Sequence, residues 1–246
     1  GFVNLVDMLI IGIRSLMWSA EQATGEKEKL SRKEISLTLL ISVGLVILFM
    51  IAFPYFLTYL FGFSEEKQPL VFNLIDGLIR IAIFLGYVFA ISFMDDIKVL
   101  FQYHGAEHKA IHCYEHGKKL SLSNVKKFTT LHPRCGTSFL LLGFIISILV
   151  FSILPSVMFY FYPGFSALNA WLRKGILFPV RILLIPLIAG ISYEVLKASD
   201  RQQRNILFKI ISAPGLLLQK ITTKEPNSKQ IEVALYSLNK LLKIEK

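Results

Sequence analysis

Residues 35–61 have the sequence ISLTLLISVGLVILFMIAFPYFLTYLF, which contains no charged side chain and no histidine. An α-helix needs about 20 apolar residues to cross the hydrocarbon core of a bilayer, and this run exceeds that length. Three further apolar runs follow, at residues 70–94, 137–162 and 175–196. The sequence therefore predicts an all-α, polytopic membrane helix bundle with about four transmembrane helices, the first of them kinked by Pro54.

The overall composition agrees with a membrane protein. Of the 246 residues, 54% are hydrophobic and 18% are charged, whereas an ordinary soluble domain has about a quarter of its residues charged. A chain this rich in apolar residues is not intrinsically disordered, because disordered chains have too few apolar side chains to form a core. The net charge of +10 indicates that one face seeks anions such as lipid headgroups, phosphates or RNA.

Amphipathic segments flank the predicted spans. Residues 2–18 place their polar side chains on one helical stripe, which predicts an interfacial amphipathic helix. Residues 205–222 predict a second interfacial piece, broken at Pro214, and residues 231–242 predict an amphipathic tail helix. The predicted organisation is an N-terminal interfacial helix and basic linker (1–34), a four-span membrane domain (35–196) with a His/Cys insertion (95–136), and a C-terminal interfacial segment with the tail helix (197–246).

The distribution of lysine and arginine predicts the orientation. Residues 19–34, 95–136 and 197–246 carry four, seven and ten basic residues, and residues 62–69 and 163–174 carry one and two. By the positive-inside rule, the basic segments and both termini face the cytoplasm. This rule by itself can account for the net charge of +10. The alternative is a basic face that docks a phosphate-bearing partner.

All five histidines and both cysteines lie between His104 and Cys135. The sequence HGAEH at residues 104–108 contains the motif H-x-x-E-H, the inverted order of the zinc-protease motif. On a helix, His104 and His108 are one turn apart, so that both imidazoles can bind one metal ion. Glu107 lies on the same side and is predicted to act as the general base on a metal-bound water.

A further ligand must come from another part of the chain. His132 and Cys135 precede the third span and offer an imidazole and a thiol, and the thiolate favours zinc over magnesium. Glu115 is predicted to be an additional ligand or to orient a histidine. Arg134 is predicted to lower the thiol pKa of Cys135 and to hold an anionic substrate or a developing oxyanion.

Other polar residues have simpler interpretations. Cys113 is predicted to be a small packing residue, and His112 and His116 to be solvated, because they drift off the His104 face. Within the second span, Asp76 and Arg80 are one turn apart and are predicted to form a structural ion pair rather than part of a transport path.

Three motifs together resemble one family: YHGAEHK at residues 103–109, HPRCGTSF at 132–139 and APGLLLQKITTKEP at 213–226. They are similar to the YqhQ-like family of bacterial membrane proteins, over essentially the whole chain. The resemblance implies a location in the bacterial cytoplasmic (inner) membrane and a domain of unknown function, described only as a metal-dependent enzyme. The family pattern matches at His104, Glu107, His108, Glu115, His132, Arg134 and Cys135. Because the chain begins with Gly1 and not methionine, and such proteins usually carry a further soluble N-terminal segment, we expect residues upstream.

Two functions follow as hypotheses. The first is a membrane-embedded hydrolase that uses a divalent metal, zinc by preference, and cleaves a peptide bond or a phosphoryl or acyl ester near the membrane surface. The second is a non-catalytic scaffold or biogenesis factor with a structural His/Glu/Cys cluster, whose basic face binds the ribosome, the insertion machinery or anionic lipid. Three ligands plus water favour the enzyme, and a closed four-ligand site favours the scaffold. A transporter is the weakest interpretation, since no polar path crosses the predicted spans.

Overall fold

The computed structural model describes residues 2–24, 32–65, 67–165, 167–202 and 205–244. The predicted basic linker lies partly on residues 25–31, outside the described residues. The regular elements in the described residues are helices, which confirms the all-α prediction. In chain order they are α1 (Phe2–Thr24), α2 (Arg32–Ile47), a π turn (Leu48–Ala52), α3 (Phe53–Leu60), α4 (Pro69–Ile91), α5 (Asp95–Glu115), α6 (Leu122–Val125), α7 (Gly136–Phe161), a 3-10 turn (Pro163–Phe165), α8 (Ala170–Arg201), α9 (Ile206–Thr222) and α10 (Ser228–Ile244).

Four segments of the described chain are long and apolar enough to cross a membrane: Ser36–Leu60, Pro69–Ile91, Gly136–Phe161 and Leu172–Arg201. They agree with the predicted spans to within a few residues, except that the fourth extends beyond the prediction at its C-terminal end. Their apolar side chains are largely uncovered by protein; the side chain of Leu183, for example, is 77% exposed. Such surfaces are compatible with contact to lipid, and the four helices indicate a membrane protein.

The first span accommodates Pro54 through a change of helix type. A π turn at Leu48–Ala52 separates α2 from α3, directly before the proline. A proline ring clashes with the carbonyl four residues earlier, and the wider π turn relieves that clash. In place of a simple kink at Pro54, the first span therefore contains a π turn just upstream of the proline.

The chain divides into two compact units, of which the first comprises residues up to 83 together with 145–194. The Arg80 and Asp76 side chains pair at 2.7 Å, which confirms the predicted ion pair in the second span. Arg181 Nη2 donates to Asn73 Oδ1 at 3.1 Å, so α8 is joined to α4 by a polar contact. Charged groups in apolar surroundings need such partners, because burying them alone is costly.

The second unit comprises residues 84–144 and 195–246, with α5 at its centre. The predicted His/Cys insertion and the C-terminal segment thus belong to one compact unit. The apolar face of the tail helix α10 packs on α5, and the core contains Ala106, Ala110, Cys113, Val125, Ile231 and Leu235. Cys113 is fully buried there, which confirms the packing role that the sequence predicts.

Helix α5 begins and ends at recognisable signals. Asp95 and Asp96 occupy its first turn, where carboxylates interact favourably with the helix dipole. Gly117, with φ +64°, follows its last turn in the left-handed conformation that glycine adopts most easily. Between these signals the helix is continuous, so His104, His108 and His112 follow one another at one-turn intervals.

Helix α9 corrects the sequence prediction, because it is continuous through Pro214 and Gly215 instead of broken there. A Cβ atom at Gly215 would lie 2.5 Å from the Ser138 hydroxyl, so the glycine permits close packing of α9 against the start of α7. One turn further along α9, Gln219 Nε2 donates to Ser138 Oγ at 2.6 Å. Tertiary contacts of this kind offset the loss of one helical hydrogen bond at proline.

Candidate metal and thiol site

Three side chains of the second unit converge on one point: His104 and His108 from α5, and Cys135 from the residue directly before α7. Their candidate ligand atoms all lie within 4.8 Å of one another. The distance from Cys135 Sγ to His104 Nε2 is 3.3 Å. His108 and Cys135 are buried and His104 is half-buried, so the cluster is largely shielded from solvent.

Backbone carbonyls fix the protonation of both imidazoles. His104 Nδ1 lies 2.9 Å from the Thr222 carbonyl oxygen, and His108 Nδ1 lies 2.5 Å from the Thr130 carbonyl oxygen. A carbonyl only accepts hydrogen bonds, so in each ring Nδ1 carries the proton. Nε2 is therefore the nitrogen of each neutral ring that could bind a cation, and hydrogen bonds of this kind hold histidine ligands in position in many metal sites.

The electrostatics of the cluster favour a thiolate. Burial raises the pKa of the Cys135 thiol, but hydrogen bonds from His104, His108 and Thr137 outweigh this and lower the pKa to about 5. Burial lowers the pKa of His104, yet the hydrogen bond and the charge of Cys135, with smaller contributions from Thr222 and Glu107, raise it above its ordinary value. Without a metal, imidazole N–H groups thus face the thiolate; a bound cation would replace those protons, and one thiolate with two imidazole nitrogens is a donor set suited to a soft-tolerant cation.

We therefore expect the Cys135 thiolate to persist to about pH 5 in protein stripped of metal by a chelator. The ultraviolet absorption of the thiolate should fall as the pH drops through that value, because protonation removes the absorbing species. The signal is obtained as the difference between the wild type and Cys135→Ser. Cys113 provides the internal control, because burial raises its pKa and it should contribute nothing at neutral pH. A transition near the ordinary thiol pKa would contradict this electrostatic account.

The spacing of the cluster also fits a tetrahedral ion. Zinc bonds of about 2.3 Å to sulfur and about 2.0–2.1 Å to nitrogen place those two ligand atoms about 3.6 Å apart. The observed distance between Cys135 Sγ and His104 Nε2, 3.3 Å, is close to that value. Cys135 and His104 could therefore bind one ion with little movement, and the ligand atom of His108 lies within 4.8 Å of both.

A second group, His112, Glu115 and His132, lies beside the first. The ring centroids of His108 and His132 are 5.6 Å apart. His112 is half-buried and its Nε2 lies 2.7 Å from the Leu131 carbonyl oxygen, so the prediction that His112 is solvated is wrong. Its burial lowers the pKa of His112, in keeping with a neutral ring.

The hydrogen bonds of His132 distinguish this second group from the first. The Arg134 backbone N–H donates to His132 Nδ1 at 3.2 Å, and His132 Nε2 lies 3.0 Å from Glu115 Oε2. With Nδ1 as acceptor, the proton of the neutral ring is on Nε2 and is donated to the carboxylate. A metal on Nε2 would move that proton to Nδ1, where it would oppose the Arg134 N–H. The second group is thus better suited to a hydrogen-bond network.

Arg134 lies at the edge of this network, with half of its side chain exposed. Its Nε donates to Asp200 Oδ2 at 2.6 Å, and its Nη1 is 3.8 Å from Glu115 Oε1. The guanidinium group therefore has carboxylate partners from two directions. An anionic substrate at Arg134 would have to replace one of them.

Glu107 lies on α5 directly before His108, and its side chain is exposed. Its negative charge is one of the influences that raise the pKa of His104, so it lies within electrostatic reach of the cluster. An exposed carboxylate next to a shielded cluster can exchange protons with solvent. Proton exchange with solvent is one property that a general base needs.

Comparison with known proteins places the chain in a family. The model of the family described as "Protein of unknown function (DUF1385)" matches residues 1–244. The chain belongs to this family. Among similar proteins, "Uncharacterized protein YqhQ" of Bacillus subtilis (strain 168) is 36% identical to this DUF1385 chain over 259 residues, covering 100% of the chain and 76% of the relative. No solved structure matches the chain. The resemblance to the YqhQ-like family is thereby confirmed.

Several residues that position the site cannot be recognised in the sequence. The side-chain amide of Gln219 accepts from the His132 backbone N–H and donates to the His132 carbonyl, both at 2.8 Å. Thr130 and Thr222 bind the histidines through their backbone carbonyls. Every residue has such a carbonyl, so the residue type at these positions does not predict the contact. A polar residue within the apolar turns of α9 is the one signal in the sequence that could have pointed to Gln219.

Proposed function

We propose that this protein is a membrane-embedded metal-dependent hydrolase, with one divalent ion, zinc by preference, bound by His104, His108 and Cys135. The proposal rests on one observation: the ligand atoms of His104, His108 and the buried Cys135 lie within 4.8 Å of one another, while backbone carbonyls hold Nδ1 of both histidines. His132 and Glu115 are then hydrogen-bonding neighbours of the site, because the hydrogen bonds of His132 oppose ligation.

The ligand count favours hydrolysis over a purely structural ion. Three protein ligands leave one position of a tetrahedral ion open, as in catalytic zinc sites, whereas structural sites have four. A bound zinc ion would lower the pKa of water to about 7. Glu107 would accept the proton, and Arg134 would bind an anionic group of the substrate in exchange for Asp200. The substrate classes are a peptide bond and a phosphoryl or acyl ester.

Replacing the proposed base tests the catalytic role. Glu107→Gln is expected to keep about one metal ion per chain and to lose about 10²–10⁴-fold in turnover, because the amide cannot accept a proton. Turnover is measured with p-nitrophenyl acetate, p-nitrophenyl phosphate and a casein peptide mixture, and metal content by elemental analysis. Exposed Glu232 on α10 provides a matched control, and Glu232→Gln should leave both quantities unchanged.

Two results would count against the hydrolase. Glu107→Gln with wild-type turnover would remove Glu107 as the base. Metal-loaded wild type that cleaves none of the three probes would favour the structural alternative. One observation supports that alternative: the cluster joins α5 to the residue before α7, while the carbonyls of Thr130 and Thr222 bind its histidines. In that case chelation should lower the melting temperature without any loss of turnover.

We further propose that the site faces the cytoplasm of a bacterial cell, with both termini on that side of the cytoplasmic membrane. The excess of lysine and arginine in residues 95–136 and 197–246 supports this orientation. The same basic surface is the candidate contact for the ribosome, the insertion machinery or anionic lipid in the scaffold hypothesis. Labelling of cysteines introduced at 62–69 only from the cytoplasmic side would contradict the orientation.

A further inference from the structure

Helix α5 exposes a row of apolar side chains that leads to the proposed metal site. Val99, Leu100 and Tyr103 are exposed, and the exposed Glu107 follows Tyr103 by four residues. Side chains three and four positions apart lie on one face of a helix, so these residues form a row along α5. Asp96, one turn before Leu100, marks the start of the row, and Glu107 marks its end.

The apolar row takes no part in the core of its unit. That core lies on another side of α5, where Ala106 and Ala110 pack with Ile231 of α10. Leu100 is 58% exposed and Tyr103 is 41% exposed, although α5 is not one of the four candidate spans. A helix outside the membrane normally exposes polar side chains away from its core, and adjoining exposed apolar side chains mark interaction sites. The row is therefore a candidate binding surface for an apolar partner.

The row begins close to the membrane. The span Pro69–Ile91 ends four residues before α5 begins at Asp95, and Phe93 and Met94 in the connection are exposed apolar residues. At a rise of 1.5 Å per residue, α5 covers about 18 Å between Asp95 and Glu107. An apolar molecule that extends this far from the end of the span reaches Glu107.

The chemistry of the row favours a hydrocarbon chain over a peptide. The side chains of Val99 and Leu100 have no hydrogen-bonding group, and the backbone of a helix interior bonds to itself. A peptide on this surface would lose hydrogen bonds between its amides and water without replacement, which is costly. The described residues contain helices and turns but no strand whose edge could pair with an extended peptide. An acyl chain needs no such partners and gains free energy from each methylene that leaves water.

The metal cluster is accessible on the side of this row. His104 is the half-buried member of the cluster, whereas His108 and Cys135 are buried. His104 directly follows Tyr103, and on the helix surface it lies between the apolar row and the buried ligands. The end of a chain that contacts Leu100 and Tyr103 therefore arrives beside His104 and Glu107.

We infer that the substrate of the proposed hydrolase is an acyl ester of a membrane lipid, whose acyl chain lies along Val99, Leu100 and Tyr103. This inference rests on the proposed function and narrows its substrate classes to one. The bond that reaches Glu107 is the one at the end of the acyl chain, which is the ester. The phosphoester of a phospholipid is farther away, on the glycerol.

The reaction is then ester hydrolysis. The oxygen of water forms a bond to the acyl carbon, and the bond between that carbon and the alcohol oxygen breaks. Glu107 accepts a proton from the water and returns it to the alcohol oxygen. The products are a fatty acid and an alcohol, and no oxidant or reductant is needed.

The first test compares p-nitrophenyl octanoate with p-nitrophenyl acetate, using the metal-loaded full chain in nanodiscs. The value of kcat/KM should be at least about ten-fold higher for octanoate, because the longer chain contacts the row. Leu100→Gln and Tyr103→Gln should each lower the octanoate-to-acetate ratio by about three- to ten-fold. Leu241→Gln replaces a similarly exposed leucine of α10 and should leave the ratio unchanged, which also controls for partitioning of octanoate into the bilayer.

The second test does not depend on hydrolysis. Metal-free full chain is illuminated in nanodiscs that contain an alkyl ether phospholipid with a diazirine on its chain, and the labelled residues are mapped by mass spectrometry. Residues 99–103 should be labelled, and Leu100→Gln should reduce that labelling by at least about three-fold. Melting temperatures near the wild-type value establish that each variant is folded.

The outcomes separate this inference from the proposed function. Equal kcat/KM for the two esters, or an unchanged ratio in both the Leu100 and Tyr103 variants, would overturn the inference while the hydrolase stands. Preferred cleavage of casein peptides would overturn it in favour of a peptide substrate. Labelling of residues 99–103 without cleavage of any ester would overturn the hydrolase, and the substrate assignment with it, and leave the row as a lipid-binding surface. Absence of that labelling would overturn the inference whatever the turnover.

Discussion

The double variant His104→Ala, His108→Ala is expected to reduce the metal content of the purified protein from about one ion per chain to below about 0.1. The reason is geometric, because removing both imidazoles leaves Cys135 as the remaining donor of the cluster. A single thiolate cannot hold zinc against buffer competition. Elemental analysis of protein purified without added chelator gives the occupancy directly.

Helix α5 offers a matched control for this variant. His112→Ala, His116→Ala removes the same two side chains at the same i, i+4 spacing, about two turns further along the chain, and should leave the metal bound. His132→Gln should also retain it, because His132 donates to Glu115 in the hydrogen-bond network. Metal loss in the control but not in the first variant would reverse the assignment of the two groups. A wild-type protein that is folded and metal-free would remove the proposed metal altogether.

Gly105→Ala should have the largest effect on stability. A Cβ atom at Gly105 would lie 2.1 Å from the Lys224 carbonyl oxygen, well inside any real contact distance. The connection between α9 and α10 cannot easily move away, because the Lys224 backbone N–H donates to the Phe101 carbonyl at 2.9 Å. Overpacking usually costs about 1–3 kcal/mol and more against fixed backbone, so we expect about 3 kcal/mol or more. That corresponds to a fall in melting temperature of about 6–12 °C.

Gly86→Ala is the matched control, in α4 of the same unit. A Cβ atom there meets nothing within 4 Å, so alanine should be neutral or stabilising by up to about 1 kcal/mol through its higher helix propensity. Gly105→Ala should also weaken metal binding, since Thr222, which holds His104, is two residues from Lys224. Equal melting temperatures for the two glycine variants would contradict the close approach of Lys224 to α5.

The spans could be predicted because they depend on local composition alone. A run such as residues 35–61 must satisfy its backbone polar groups with its own hydrogen bonds, so its hydrophobicity and length suffice to identify a helix. The continuity of α9 could not be predicted in this way. Pro214 and Gly215 together signal a break, and only the contact of Gly215 with Ser138 shows why the helix passes through them.

The candidate site could likewise be predicted only in part from the sequence. His104 and His108 could be paired from their spacing, since residues four apart share a helix face. The choice between Cys135 and His132 could not be made, because both lie in a connection without periodicity. It depends on backbone hydrogen bonds, above all from the Arg134 N–H to His132 Nδ1, and these appear only in the folded chain.

Local sequence is therefore enough to identify an all-α membrane protein with a His-rich helix between its second and third spans. Helical periodicity and hydrophobic length are local properties, and they can be recognised without knowledge of the rest of the chain. Which imidazole nitrogens face Cys135 follows only from the tertiary structure, because it depends on the carbonyls of Thr130 and Thr222, far apart along the chain. A backbone carbonyl has the same chemistry in every residue, so its placement is a property of the fold.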